Sequence, residues 1–122
     1  MSDKYKAFRA STLLNLVTLA KVLGMLPIPI EIKVGALEDG TIEDLHRARV
    51  LLPEIPMSEV LHAAVNTAIL DWFAGLTLGS VADENEDDAP WLYTAAQLSQ
   101  TRCRDAIEVA YGILTGEIVI ED

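Results

Sequence analysis

Two short motifs place side chains that commonly bind metals at the same spacing. They are Glu43-x-x-His46 and Glu59-x-x-His62. On a helix, residues i and i+3 share a face, and paired Glu-x-x-His motifs supply ligands in di-iron helical bundles. Such bundles also take a carboxylate from each of two further helices, and the first predicted helix offers only Asp3. We therefore keep a metal-dependent helical enzyme as an alternative, while assigning the chain no metal site and no cofactor.

The remaining nucleophilic side chains carry no catalytic pattern. Cys103 is the single cysteine and lies between Arg102 and Arg104, but it falls on the apolar face of a predicted helix. That position is typical of a small buried hydrophobic residue. The sequence contains no spacing that marks a Ser-His-Asp triad and no Gly-rich phosphate loop. These observations predict a protein that is not an enzyme.

The densest charge in the chain lies beside two aromatic residues. Five carboxylates occupy six consecutive positions and are followed closely by a tryptophan and a tyrosine. The predicted partner-binding residues are Asp83, Glu84, Glu86, Asp87, Asp88, Trp91 and Tyr93. Aromatic side chains are enriched at interface hot spots, and clustered carboxylates complement a basic surface. A solvated linker with no partner is the other interpretation of the same acidic segment.

Length and composition limit the class of protein to which these residues can belong. The chain has 122 residues, 51% of them hydrophobic, and a formal net charge of −10. These values indicate one folded domain, residues 1–122, and exclude general disorder. The acidic balance disfavours nucleic acid, whose phosphates attract cations. The single cysteine is typical of a reducing compartment and predicts a cytoplasmic protein. Asn15 and Lys21 interrupt the N-terminal apolar run, so we expect no insertion into membranes.

The elements that must position these residues are mostly helical. We expect helices over Asp3–Gly24, from Thr41 to about Leu52, from Ser58 to about Leu78, and from Pro90 to Gly116, with an acidic loop over residues 80–89. Alternating residues predict short strands at Ile28–Val34 and Glu117–Glu121, which could pair with each other. The fold class is therefore mainly α: one compact four-helix domain with one or two short β-strands, with an intertwined dimer left open.

The order of elements over residues 30–73 resembles that of ribbon-helix-helix proteins. An alternating strand is followed by a helix, a turn and the segment IPMSEVLHAAVNTAILDWF, in which Ser58 matches the usual helix-start Ser or Thr. The resemblance implies strands that pair across a dimer and enter the DNA major groove, with Glu31 and Lys33 facing outward. A DNA-binding regulator is thus a second alternative, and its candidate residues are Lys33, Lys4, Lys6 and Arg9.

The leading hypothesis is a small acidic protein-binding module without enzymatic activity. By analogy with small acidic proteins of phages and mobile elements, it would act as an inhibitor or regulator. Its carboxylates would occupy a basic, nucleic-acid-binding surface of another protein. We also expect the chain to form a homodimer, because its hydrophobic helices need burial on several sides.

Overall fold

The protein is an α-helical bundle in the part of the chain that the structure describes. The computed structural model describes residues 3–33, 39–85 and 87–120. Its helices are α1 (Asp3–Gly24), α2 (Asp39–Leu51), α3 (Glu59–Glu84) and α4 (Trp91–Thr115), with a 3₁₀ turn at Leu52–Glu54 after α2. The four predicted helices are therefore confirmed, and the described part of the chain is all-α.

Local sequence accounts for several helix ends. The Ser58 side chain accepts a hydrogen bond from the Leu61 N–H at 3.1 Å, so it caps α3 as predicted. Gly116 follows α4 with a φ of 83°, the left-handed conformation that ends many helices and that glycine adopts without a steric penalty. α1 has the predicted bounds and ends shortly before Pro27.

The predicted β-strands are wrong. Within residues 3–33, 39–85 and 87–120 the structure contains no strand, and the predicted strands' last residues, Val34 and Glu121, lie outside the described residues. The amides of the first segment bond to helices instead: Ile30 N–H donates to Leu23 O at 3.0 Å, and Lys33 N–H donates to Asp44 Oδ2 at 3.0 Å. Its alternation reflects packing of Ile30 and Ile32 onto the core.

The C-terminal segment is likewise held by a helix. Ile118 N–H donates to Gly112 O at 2.9 Å, and the Ile118 side chain lies where a Cβ on Gly112 would have to be. The proposed pairing of residues 117–121 with Glu31, Ile32 and Lys33 is therefore not formed in the described part of the chain. Without a free ribbon over residues 30–33, the intertwined dimer loses the element on which it depended.

α3 continues beyond its predicted end, which shortens the acidic loop. The sequence places a stop at Gly79, but Gly79 is buried inside the helix, and a Cβ there would overlap the Phe8 ring of α1. Gly79 is thus a contact residue between two helices rather than a terminator. Residues 80–84 are helical, and the connection to α4 begins at Asn85 instead of spanning residues 80–89.

A buried polar network fixes α1, α3 and α4 relative to one another. Trp72 is fully buried and its Nε1–H donates to Thr12 O at 3.0 Å. The Gln100 amide donates to Trp72 O at 3.2 Å, and the Asn15 amide donates to Gln100 Oε1 at 2.8 Å. Because buried polar groups are costly unless they are paired, these bonds favour the observed arrangement of the three helices over arrangements that would break them.

Candidate interaction surface

One end of the bundle collects the acidic residues; we call it the acidic end, consisting of residues 83–91. Asp83 and Glu84 form the last turn of α3, Asp87 and Asp88 lie in the connection, and all four are exposed. Glu86 lies outside the described residues. Trp91 opens α4 and is 65% exposed, beside these carboxylates in the chain. The structure therefore brings the described acidic residues and the exposed tryptophan to one place.

Hydrogen bonds order the backbone of this connection. Asn85 N–H donates to Val81 O at 3.1 Å, and its side-chain amide donates to the same oxygen at 2.8 Å. Ala89 N–H then donates to Asn85 O at 2.9 Å. Asn85 thus closes α3 and starts the turn that leads into α4. The described carboxylates are therefore carried by the last turn of α3 and by a short hydrogen-bonded connection, and all of them are exposed to solvent.

Tyr93 lies beneath the acidic end. It is 3% exposed and packs with Ala82 and Leu92 in a small hydrophobic cluster that also contacts Tyr5. The Tyr93 hydroxyl donates to Asp83 Oδ1 at 3.3 Å. Of the two aromatic residues predicted to contact a partner, Trp91 is therefore accessible, whereas Tyr93 orients Asp83 from below.

Two of the carboxylates occupy an electrostatically unfavourable position. Asp83 and Glu84 lie at the C-terminal end of α3, where the helix dipole is negative, and the last turn contains no basic residue. Asp87 and Asp88 lie near the start of α4, where the dipole favours anions. Local rules are most often violated where a site serves function rather than stability. The charge at the end of α3 is thus a candidate functional feature.

The N-terminal cations share this end of the bundle. Tyr5 and Phe8 pack against the C-terminal part of α3, which places Lys4, Lys6 and Arg9 near the acidic end. None of the ion pairs in the described part of the chain joins these cations to the acidic residues. The described carboxylates of the acidic end therefore have cations nearby on α1 but form no ion pair with them.

Lys33, the other candidate DNA-binding residue, lies at the opposite end of α1. It lines a shallow groove with Gly24 and Asp44, while Lys4 is in the first turn of α1. A helix of the length of α1 separates these points by about 30 Å, so the four cations do not form one continuous basic surface. DNA binding stays a prediction, and its strand is absent from the part of the chain that the structure describes.

The two Glu-x-x-His motifs are not assembled into a metal site. Glu43 and His46 line an open groove on α2, whereas Glu59 and His62 lie in the first turn of α3. Across the described ranges, which include all four residues, no group of three or more His, Cys, Asp or Glu side chains is positioned to hold a metal ion. The ligand set proposed for a metal-dependent enzyme is therefore not brought together.

Cys103 is fully buried in the core, as predicted from its position on the apolar face of α4. Burial raises the pKa of its thiol to about 12, and the negative charge of Asp71 acts in the same direction. Because the thiolate is the reactive form, this environment makes Cys103 a poor nucleophile.

A surface that the sequence did not predict lies on α3. Its apolar composition predicts a central helix, and α3 does contact α1, α2 and α4, but Val60, Leu70 and Val81 on its remaining side are 49%, 43% and 41% exposed. By length and composition alone α3 could also cross a membrane, and 39% of its most apolar 18-residue stretch is buried inside the protein. The sequence contained one signal for this exposed side, namely the helical spacing of these residues. The overall hydropathy of the helix does not contain it, because it averages over all sides.

Comparisons with known proteins give no further assignment. No family model, no curated protein and no solved structure matches the chain.

Proposed function

We propose that this protein is a non-enzymatic binding module whose acidic end contacts a basic surface of another protein. The observation that carries the proposal is the exposed Trp91 beside a structured turn bearing Asp87 and Asp88. A large accessible aromatic side chain next to fixed charges matches the composition of interface hot spots. Such a surface suits an inhibitor or regulator of a nucleic-acid-binding protein, because carboxylates can occupy the places of phosphates.

The positions of Asp83 and Glu84 support the same function. Their charges oppose the α3 dipole, so they do not serve helix stability. The Tyr93 hydroxyl holds the Asp83 carboxylate, which reduces the ordering cost of binding. An acidic surface of this kind accelerates encounter with a basic partner, and its effect weakens as salt rises.

A capture experiment with two charge-matched variants tests the proposal. The first neutralises the acidic end and keeps the side-chain shapes: Asp83→Asn, Glu84→Gln, Glu86→Gln, Asp87→Asn and Asp88→Asn. The control neutralises five carboxylates elsewhere on the surface: Glu43→Gln, Glu54→Gln, Glu59→Gln, Glu108→Gln and Glu117→Gln. Each set changes the formal net charge from −10 to −5, since five negative charges are removed.

The wild type and the control should retain the same protein from an extract of the natural source, and the first variant should lose it. Trp91→Ala should weaken the same interaction, because it removes the accessible aromatic contact. Equal retention by both neutralised variants would show that only overall charge matters and would reject the assignment. Recovery of nucleic acid instead, through the cations of α1, would favour the DNA-binding alternative.

A further inference from the structure

The exposed side of α3 carries a continuous stripe of apolar and small residues. Its members are spaced alternately by three and four positions, and every one is exposed. The stripe consists of Val60, Ala63, Thr67, Leu70, Ala74, Thr77 and Val81. A 3.5-residue repeat is the pattern by which two helices pack along their length. The stripe extends for about 30 Å, at 1.5 Å per residue.

The borders of the stripe are set by the protein's own helices. On one side Arg49 of α2 donates to Asn66 Oδ1 at 3.2 Å. On the other side Arg102 of α4 lies 3.6 Å from Asp71 Oδ2. Asp71 is the only charged residue in the sequence from Val60 to Val81, and it is already paired within the chain. A helix docking on the stripe therefore meets no unpaired charge along its length.

The corresponding face of α4 differs. Its exposed hydrophobic residues, Leu98 and Val109, are separated in the chain by the exposed charged residues Arg102, Arg104, Asp105 and Glu108, as is usual for a helix face in contact with water. α3 contacts α1, α2 and α4, and it still leaves one side exposed. Its outward face has the composition of a contact between helices, in which small residues allow close approach and the larger ones fill the space between them.

We propose that a second copy of this chain covers the stripe, with the two α3 helices packed antiparallel about a two-fold axis near Leu70. The stripe has larger side chains at both ends and at the centre and smaller ones in between. When two copies of the stripe pack antiparallel, each side chain therefore faces one of similar size. A two-fold contact requires such self-complementarity. It also explains why α3, which packs against α1, α2 and α4, leaves an apolar side exposed in the single chain.

The charge distribution selects the antiparallel direction. Parallel pairing would bring the acidic ends of both copies together, at least four carboxylates against four. Antiparallel pairing separates them by the length of α3, roughly 35–40 Å, which is several times the screening distance of about 8 Å at physiological salt. Each acidic end then approaches the first turn of the other copy's α3, where the helix dipole is positive and Glu59 is the one acidic residue, instead of four or more carboxylates.

Sedimentation equilibrium tests the stripe. The wild type, with a chain mass of 13.3 kDa, should show a concentration-dependent monomer–dimer equilibrium. Leu70→Glu should weaken dimerisation by about tenfold or more, because it buries an unpaired charge. Leu14→Glu on α1 is the matched control, since Leu14 is 64% exposed and lies on another helix. Circular dichroism checks that both variants remain folded.

Disulfide formation between cysteine variants tests the direction. Mixing Val60→Cys with Val81→Cys proteins should give a crosslinked dimer, whereas either variant alone should give little. The native Cys103 does not interfere because it is fully buried.

Three results would overturn the proposal. They are a wild type that stays monomeric at high concentration, a dimer disrupted by Leu14→Glu but not by Leu70→Glu, and crosslinking of each cysteine variant with itself. Binding of the monomer to phospholipid vesicles through α3 would identify a membrane as the occupant instead. The proposed dimer and the proposed function can fail separately, because none of the substitutions in the capture experiment changes a residue of the stripe.

Discussion

Reversing the charge at either end of α3 should change stability in opposite directions. Glu84 lies in the last turn and Glu59 in the first turn, and both are exposed. At Glu84 a carboxylate faces the negative end of the helix dipole, so Glu84→Lys replaces an unfavourable interaction with a favourable one. At Glu59 the carboxylate already faces the positive end, so Glu59→Lys does the reverse.

The magnitude follows from the dipole interaction. A charge near a helix end contributes about 0.3–1 kcal/mol, and a reversal removes one such contribution and adds its opposite. We therefore expect Glu84→Lys to raise the free energy of unfolding by about 1 kcal/mol and Glu59→Lys to lower it by a similar amount. For a domain of this size, 1 kcal/mol corresponds to about 4 °C in melting temperature.

Urea denaturation and thermal melting at low salt measure both changes. The two substitutions alter net charge equally, so each controls for the global effect of reducing the −10 charge. At about 1 M salt the screening length falls to about 3 Å, and both differences should shrink. If the free energy of unfolding changed in the same direction in both variants, or if Glu84→Lys lowered it, the argument would be refuted. The carboxylates at the end of α3 would then not be destabilising for the helix.

The remaining predictions concern the core. Asn15→Leu should lower the free energy of unfolding by about 2–3 kcal/mol in urea denaturation, because it removes the donor that links α1 to α4 and leaves a buried acceptor unpaired. Gly79→Ala should lower it by about 1–3 kcal/mol, since the added methyl group overlaps the Phe8 ring. Gly24→Ala, where the space is open, should be neutral or stabilising by about 0.5 kcal/mol. The thiol of Cys103 should react with an aromatic disulfide reagent only upon unfolding. Since its pKa is raised from 9.0 to about 12, the folded state keeps a proton that the unfolded state loses, so stability should fall as pH rises from about 9 towards 12. Cys103→Ala should lack this part of the pH dependence.

The helices were predictable because their signals are local. The bounds of α1 and the Ser58 cap follow from helical periodicity and from residue types that bond to their own backbone. The strands were not predictable in the same way. The alternation of Ile30 and Ile32 also arises when an extended segment packs on a core, and its amides then bond to α1 and α2. The pattern alone does not distinguish the two cases.

Tertiary contacts account for the other differences at the acidic end and on α3. Gly79 would end a helix in isolation, but here it admits the Phe8 ring, so α3 reaches Glu84 and carries two of the carboxylates. The placement of Tyr93 beneath Asp83 likewise depends on α3 and α4 meeting at this end. That one side of α3 is exposed could not be deduced from its hydrophobicity, because an apolar helix can be covered by its own chain or by another.

The most direct test of the central claim is a titration of the labelled protein with a short Lys- and Arg-rich peptide, followed by amide chemical shifts. The peptide imitates the basic surface for which the acidic end is proposed. At low salt the largest shifts should fall on residues 83–93, including the Trp91 indole, and they should diminish as salt increases. The largest shifts over α2 or the Lys33 region, or shifts unchanged by neutralising the acidic end, would contradict the proposal.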